Sequence, residues 1–217
     1  MNQTTQRLRR LTAMALLTAL SYASVFFIRI PVVLFLSYEP KDVLLTIGAF
    51  LFGPLSGVCM AAAVAFLELV TISTTGVIGL IMNILSSCLF VCTASAIYHR
   101  KRTLGGAIVG LISGAVLMTI GMVLWNYLIT PLYMEVPREQ IAGMLLTVFA
   151  PFNLLKSALN ASLTVTLYKG VASALRSAHL LPRSENNTTG KKFPVWIISA
   201  FVLCTLILVL LFWKGII

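Results

Sequence analysis

The chain has 217 residues, of which 59% are hydrophobic and only 10% are charged, and its mean hydropathy is +0.99. A soluble domain cannot bury that much apolar surface, so the composition predicts an all-α polytopic membrane protein. A net charge of +10 would also suit a nucleic-acid-binding protein, but the basic residues lie in short segments between apolar runs. That distribution is typical of a membrane topology signal and argues against a nucleic-acid partner.

Seven apolar segments follow one another, and we predict a helix for each of them. Only Gly53–Pro54 separates the second from the third, and together these two are too short for two full spans, so we expect a short second helix. The loop after the first helix, residues 31–43, contains two prolines yet is apolar, and we expect it to fold back onto the protein. The predicted helices are residues 11–28, 43–52, 54–70, 77–98, 104–128, 140–168 and 194–213.

These helices predict three regions. Residues 1–170 form a six-helix membrane domain, residues 171–193 form a basic cytoplasmic linker, and residues 194–217 form an additional C-terminal transmembrane helix. The seventh helix has almost no polar content, and the sequence does not indicate its role.

The positive charges predict the orientation of the chain in the membrane. With the N-terminus in the cytoplasm, eleven Lys and Arg residues fall on the cytoplasmic side: Arg7, Arg9, Arg10, Arg100, Lys101, Arg102, Lys169, Arg176, Arg183, Lys191 and Lys192. The outer side then holds four: Arg29, Lys41, Arg138 and Lys214. Under this orientation the polar segments 38–42, 68–75 and 125–138 and the start of the sixth helix gather at the outer face.

A polar stripe runs along the predicted sixth helix. At 100° per residue its members share one narrow face, and they are Asn153, Lys156, Ser157, Asn160 and Thr164. An ammonium in the centre of a bilayer costs at least ~2.5–3.5 kcal/mol, so the stripe has to face protein, water or a ligand. Two amides and a lysine on one face predict a polar binding surface.

A ridge of small residues runs along the first helix, where Ala15, Ala19 and Ala23 recur at every fourth position. Such a ridge allows close approach of another helix. From periodicity alone, packing inside the chain and docking of a partner membrane protein are equally compatible with it.

Two polar residues in other helices also allow two interpretations. Glu68 lies near a predicted membrane boundary, so it is either a carboxylate that reaches the surface or a functional group. Asn83 either bonds a neighbouring helix, which is the commoner use of a membrane Asn, or belongs to a binding site.

The chain contains no Walker motif, no zinc-protease motif and no nucleophile elbow, so we do not expect enzymatic activity. Its four cysteines lack the spacing of a metal site. The remaining expectation is a protein that binds a small solute. If it transports that solute, a partner has to supply the energy.

Five segments together resemble the riboflavin-specific S components of energy-coupling factor (ECF) transporters. They are YEPKDV (38–43), GAFLFGPLSG (48–57), TGVIGLIMNILSS (75–87), NYLITPLY (126–133) and PFNLLKSALN (151–160). The resemblance covers roughly residues 10–170 and implies six helices in a bacterial cell membrane that bind the vitamin from outside. It also implies a transmembrane coupling (T) subunit and two cytoplasmic ATPase subunits as separate chains. In that family an alanine motif contacts the coupling subunit, and Ala15, Ala19 and Ala23 match it.

The resemblance implies riboflavin as the transported ligand, flavin mononucleotide as a candidate second ligand, and no cofactor. An amide side chain offers both a donor and an acceptor, which suits the alternating pyrimidine edge of the isoalloxazine. Asn126, Asn153 and Asn160 are candidates to read that edge, and Lys156 to donate to it. The other candidate site residues are Trp125 and Phe152 against the ring faces, Glu39, Asp42 and Glu68 at the ribityl chain, and Lys41 and Asn83.

Two alternatives stay open at this level. One is an S component for another vitamin, such as folate, thiamine or pantothenate. The other is an integral-membrane enzyme or assembly factor with no transport function, in which Lys156 is chemical or structural. The chain also departs from the family, whose pattern ends after the sixth helix, whereas this sequence continues with residues 194–213.

Overall fold

The computed structural model describes residues 3–182 and, further on, residues 200, 202–204, 206, 207 and 209, which are helical. The remainder of the predicted linker and of the predicted seventh helix lies outside the described residues. The elements are α1 (Gln3–Phe27), β1 (Ile30–Val33), β2 (Leu36–Tyr38), α2 (Lys41–Phe52), α3 (Pro54–Thr71), α4 (Gly76–Lys101), α5 (Leu104–Met134), α6 (Arg138–Met144) and α7 (Ala150–Ser177). A π-helical turn, Leu145–Phe149, joins α6 to α7.

Within this described part, five helical segments are long and apolar enough to cross a membrane, the last of them running from Arg138 to Ser177. The helix α2 has 12 residues and spans only about 18 Å, as expected from the short interval before Gly53–Pro54. Gly53 adopts φ +103° at the junction, which favours glycine, and Pro54 starts α3. These observations confirm the predicted all-α polytopic architecture.

The predicted loop between the first two helices is a β-hairpin. Its two strands are antiparallel, with Ile30 opposite Tyr38 and Pro31 opposite Ser37. Apolar side chains hold the hairpin in place: Leu36 packs against Phe149 of the π-helical turn and Phe152 of α7. The expectation that this loop folds back onto the protein is therefore confirmed.

The fifth helix is longer than predicted. It continues to Met134, with Pro131 inside it, although the sequence indicated a polar loop from residue 130. Proline is tolerated in membrane helices where other groups satisfy the backbone and side chains nearby. The polar side chains beside Pro131 are paired within α5: the Thr130 hydroxyl donates to the side-chain oxygen of Asn126 (2.8 Å), and the side-chain amide of Asn126 donates to the backbone oxygen of Met122 (2.6 Å).

The sixth predicted helix is interrupted and also longer than expected. The π-helical turn comes directly before Pro151, which lacks a backbone donor and cannot fit a regular helix interior. Beyond it, α7 continues to Ser177, so the first residues of the predicted linker are helical. Leu175 is buried in the main core, and this tertiary packing explains why the helix continues.

Glycines bring α5 against α4. A Cβ on Gly110 would lie 2.5 Å from the Ala94 carbonyl oxygen, and one on Gly114 would lie 2.7 Å from that of Phe90. Close backbone approach of this kind is how membrane helices gain packing contacts. The glycine ridge of the fifth helix therefore packs inside the chain.

This packing leads to a prediction for Gly110→Ala. We expect the free energy of unfolding to fall by about 1–3 kcal/mol, because backbone atoms of α4 have to move to admit the methyl group. Gly170→Ala is the matched control, since a Cβ at Gly170 meets nothing within 4 Å. Thermal unfolding in detergent measures both. Equal melting temperatures for the two variants would contradict the close α4–α5 contact.

Candidate functional site

The polar stripe of α7 faces the interior. All five of its residues are buried: Asn153, Lys156, Ser157, Asn160 and Thr164. The stripe thus faces protein, as the cost of exposing an ammonium to lipid requires. Three of its members bond backbone oxygens of the same helical segment, and Asn153, for example, donates to Phe149 (2.8 Å).

A cavity lies between the hairpin and the N-terminal part of this stripe, Asn153 and Lys156. It is lined by Arg29, Phe35, Leu36, Ser37, Glu39, Thr75, Met82, Asn83, Ser86, Met122, Phe152, Asn153 and Lys156. The cavity measures about 50 Å³. Small-molecule pockets typically measure ~300–1,000 Å³, so a ligand of vitamin size requires the hairpin or wall side chains to move.

Lys156 contributes the most distinctive group of the cavity wall. Lys156 is 7% exposed, and its ammonium makes no hydrogen bond and no ion pair with any described residue. Its charge acts at longer range on Glu39. Most of the side chain is buried while Lys156 lines the cavity, and an ammonium with free donors there favours a ligand that brings acceptor atoms to this point.

An ion cluster adjoins the cavity at Arg29, Glu39 and Asn83. The Lys41 ammonium lies 2.7 Å from both carboxylate oxygens of Glu68 and 3.2 Å from Glu39. Glu39 also pairs with Arg29 at 3.3 Å, and the Asn83 amide donates to Glu68 at 2.8 Å. Glu68 is therefore buried and paired, which excludes the interpretation that it reaches the membrane surface.

The neighbouring charges of this cluster change the pKa of Glu39, which lies just before α2. Burial by itself raises the pKa of Glu39, but the neighbouring Lys41, Lys156 and Arg29 outweigh it and hold that pKa below the usual range. The cavity and its ion cluster bring together three cations and three carboxylates, namely Arg29, Lys41, Lys156, Glu39, Asp42 and Glu68. With equal numbers of opposite charges, the site suits a ligand without net charge.

A group of hydrogen-bonded polar side chains lies behind the cavity wall. Asp42 accepts from Ser87 (2.6 Å) and from the Asn160 amide (3.4 Å), and Tyr38 donates to the Asn160 carbonyl (3.2 Å). Both ends of the Asn160 amide are therefore engaged by protein. This arrangement fixes the orientation of Asn160.

The candidate residues fall into three positions relative to the cavity. Asn83, Phe152, Asn153 and Lys156 line it, and Trp125 lines a small adjoining cavity with Phe35 and Tyr133. Behind the wall lie Lys41, Asp42, Glu68, Asn126 and Asn160. Asn126 is fully buried and bonded within α5, so reaching a ligand requires a change in those bonds.

Sequence reasoning overlooked Arg29 as a site residue and counted it only among the positive charges of the outer side. The hairpin register explains its position. Since Ile30 lies opposite Tyr38, Arg29 and Glu39 are the next facing pair of the two strands. The sequence does contain a signal for this pair: the opposite charges of Arg29 and Glu39 stand on either side of the short apolar segment that forms the hairpin.

The alanine ridge of α1 lies away from this site. Ala15 and Ala19 are exposed and Ala23 is half-buried, whereas Ala13, Leu17 and the other buried residues lie on the opposite face. Packing inside the described part of the chain therefore does not occupy the ridge.

Comparison with known proteins agrees with this architecture. A family model described as "ECF transporter, substrate-specific component" matches residues 9–168. The chain is 30% identical to the riboflavin transporter RibU of Staphylococcus aureus over 180 residues, covering 79% of this chain and 94% of that protein. It is also 30% identical to RibU of Streptococcus thermophilus over 178 residues, covering 77% and 84% of the two chains.

The fold is similar as well. A solved structure of the S component of a bacterial ECF transporter superposes with a TM-score of 0.65 at 29% identity, and it covers 78% of this chain and 99% of that chain. The family match spans most of the sequence, and the structural match takes in nearly the whole of the solved S component. The chain therefore belongs to the family of substrate-specific (S) components of ECF transporters.

Proposed function

We propose that this chain is the riboflavin-capture subunit of an ECF transporter, with its binding site at the hairpin end of the bundle. The observation that carries the proposal is the cavity wall formed by Asn153 and the unpaired ammonium of Lys156. The uracil-like edge of riboflavin presents alternating acceptors and donors, which an amide and an ammonium complement. Both RibU relatives are named for riboflavin, which supports the same ligand.

The apolar part of the cavity suits the flat ring system. Phe152 and Phe35 lie in the wall, and Trp125 and Tyr133 line the adjoining cavity. Aromatic side chains bury large areas and stack on planar ligands. On this proposal the ring lies between these side chains, while the ribityl hydroxyls approach Glu39 and the ion cluster.

Transport requires more than this chain. We propose that the hairpin end faces the outside and the N-terminus the cytoplasm, in agreement with the distribution of Lys and Arg. Membership of the S-component family supports association with a transmembrane coupling subunit and with separate ATPase subunits. The chain itself is then a binding and translocation subunit and not an enzyme.

Fluorescence titration tests the ligand. When riboflavin is added to detergent-solubilised protein, its fluorescence should be quenched, and the quenching should saturate at one ligand per chain. Flavin mononucleotide should bind more weakly, because on this proposal the Lys156 ammonium binds the ring, and Arg29, near the ribityl end, is already paired with Glu39 and is not free for a phosphate. Tight binding of folate, thiamine or pantothenate in place of riboflavin would refute the assignment.

The variant Lys156→Met tests the site. It keeps the length of the side chain and removes the ammonium, so a charge-assisted hydrogen bond worth about 1.5–3 kcal/mol is lost and Kd should rise about 10- to 150-fold. Leu154→Met, on the exposed face of the same helix, is the control and should bind as the wild type does. Asn153→Leu should weaken binding in the same direction. Unchanged affinity in folded Lys156→Met would assign Lys156 a structural role.

A further inference from the structure

The described residues near the C-terminus, 200, 202–204, 206, 207 and 209, are helical and lie beyond the part of the chain that matches the family; they are called the C-terminal segment here. They pack onto the hairpin end of the bundle. Leu203 and Leu206 lie against the apolar cluster of Tyr38, Leu155 and Leu159. The other face of the segment is exposed, with Val202, Ile207 and Val209 each at 40% or more. The segment therefore has a packed face and a free face.

The packed face meets both parts that enclose the cavity. Tyr38 ends β2, and Ile30 and Val32 of β1 belong to the same apolar cluster, whereas Leu155 and Leu159 belong to α7. The Tyr38 hydroxyl also bonds Asn160 of α7 at 3.2 Å. Leu203 and Leu206 thus lie at the junction between the hairpin and the helix that carries Asn153 and Lys156.

Apart from the packing of Leu36 against Phe149 and Phe152, the other restraints at the base of the hairpin are modest. A two-stranded hairpin is only marginally stable by itself. The Arg29–Glu39 pair that flanks it involves a side chain that is 35% exposed, and ion pairs of that kind contribute little. The cavity measures about 50 Å³, so a ligand of vitamin size requires the hairpin or wall side chains to move, and of these the hairpin is the part that Leu203 and Leu206 contact.

We propose that the C-terminal segment is an intramolecular clamp, which binds the junction of hairpin and α7 and slows opening of the hairpin. The ligand-exchange part of this inference rests on the proposed riboflavin function. Between membrane helices, association depends on close packing, so the contacts of Leu203 and Leu206 carry the effect. The clamp lengthens the residence time of the ligand without touching it.

Paired variants of the full chain test the clamp. Leu203→Ala with Leu206→Ala removes the packed side chains, and Val202→Ala with Ile207→Ala is the matched control on the exposed face. In ligand-free protein, hydrogen exchange of hairpin amides 30–38 should become about tenfold faster in the first pair, equivalent to about 1.4 kcal/mol, and stay unchanged in the control. The dissociation rate of riboflavin, followed by recovery of its fluorescence, should rise by a similar factor.

The two readouts separate this inference from the proposed function. Faster hairpin exchange in a chain that binds no riboflavin would support the clamp and refute the ligand. Riboflavin binding with equal hairpin exchange in both pairs would refute the clamp and leave the ligand standing. A rise in exchange throughout α4 and α5 would also refute the clamp, because the segment would then stabilise the whole bundle.

Discussion

Replacing Lys41 with methionine is expected to lower the free energy of unfolding by about 3–5 kcal/mol, because it leaves buried carboxylates without their cation. The Lys41 side chain is 2% exposed and contacts both Glu68 and Glu39. Methionine keeps most of the apolar stem, so the loss is mainly electrostatic. Glu39 retains Arg29, but among the described residues Glu68 retains only the Asn83 amide. Denaturant titration in detergent micelles measures the change.

A double variant distinguishes lost charge balance from lost packing. Lys41→Met with Glu68→Gln removes one charge of each sign and keeps an acceptor for Asn83, so most of the stability should return. Lys101→Met, at an exposed end of α4, is the control for removing a lysine and should unfold as the wild type does. A single Lys41→Met variant as stable as the wild type would show that Glu68 does not depend on Lys41.

Replacing Ala19 with leucine is expected to abolish riboflavin uptake by cells while leaving riboflavin affinity of the isolated chain nearly unchanged. Ala19 is exposed at the centre of the ridge of α1, away from the cavity. Membrane helices associate through close packing of small residues, so a leucine would hold a coupling subunit away along the ridge. Uptake of labelled riboflavin and co-purification with the coupling subunit measure the loss.

The matched control for this variant is Ala96→Leu, at an exposed alanine of α4. It adds the same bulk at a helix face outside the ridge and should leave uptake intact. If Ala19→Leu lost riboflavin binding and unfolded, the ridge would have a role within this chain. Equal uptake by the two variants would exclude the ridge of α1 as the docking surface.

On the proposed function, ligand binding and coupling depend on different parts of the chain. The cavity lies between the hairpin and α7, whereas the exposed ridge lies on α1. Substitutions in one part should leave the function of the other measurable. This separation makes the Lys156 and Ala19 variants complementary tests of one transport cycle.

Local patterns in the sequence determined much of the architecture. Composition required a membrane protein, and helical periodicity placed Asn153, Lys156 and Asn160 on one inward face, because polar groups in lipid are costly. The interval around Gly53–Pro54 required a short second helix. The five matching segments identified the S-component family.

Only the tertiary structure decided which polar groups meet each other and which stay available. Lys41 and Glu68 are 27 residues apart, and Tyr38 and Asn160 are 122 apart, so no local pattern predicts either bond. These contacts engage the Asn160 amide and leave the Lys156 ammonium free among the described residues. The physical reason is that periodicity reports the face of a helix on which a side chain lies, whereas a hydrogen bond depends on how separate helices pack.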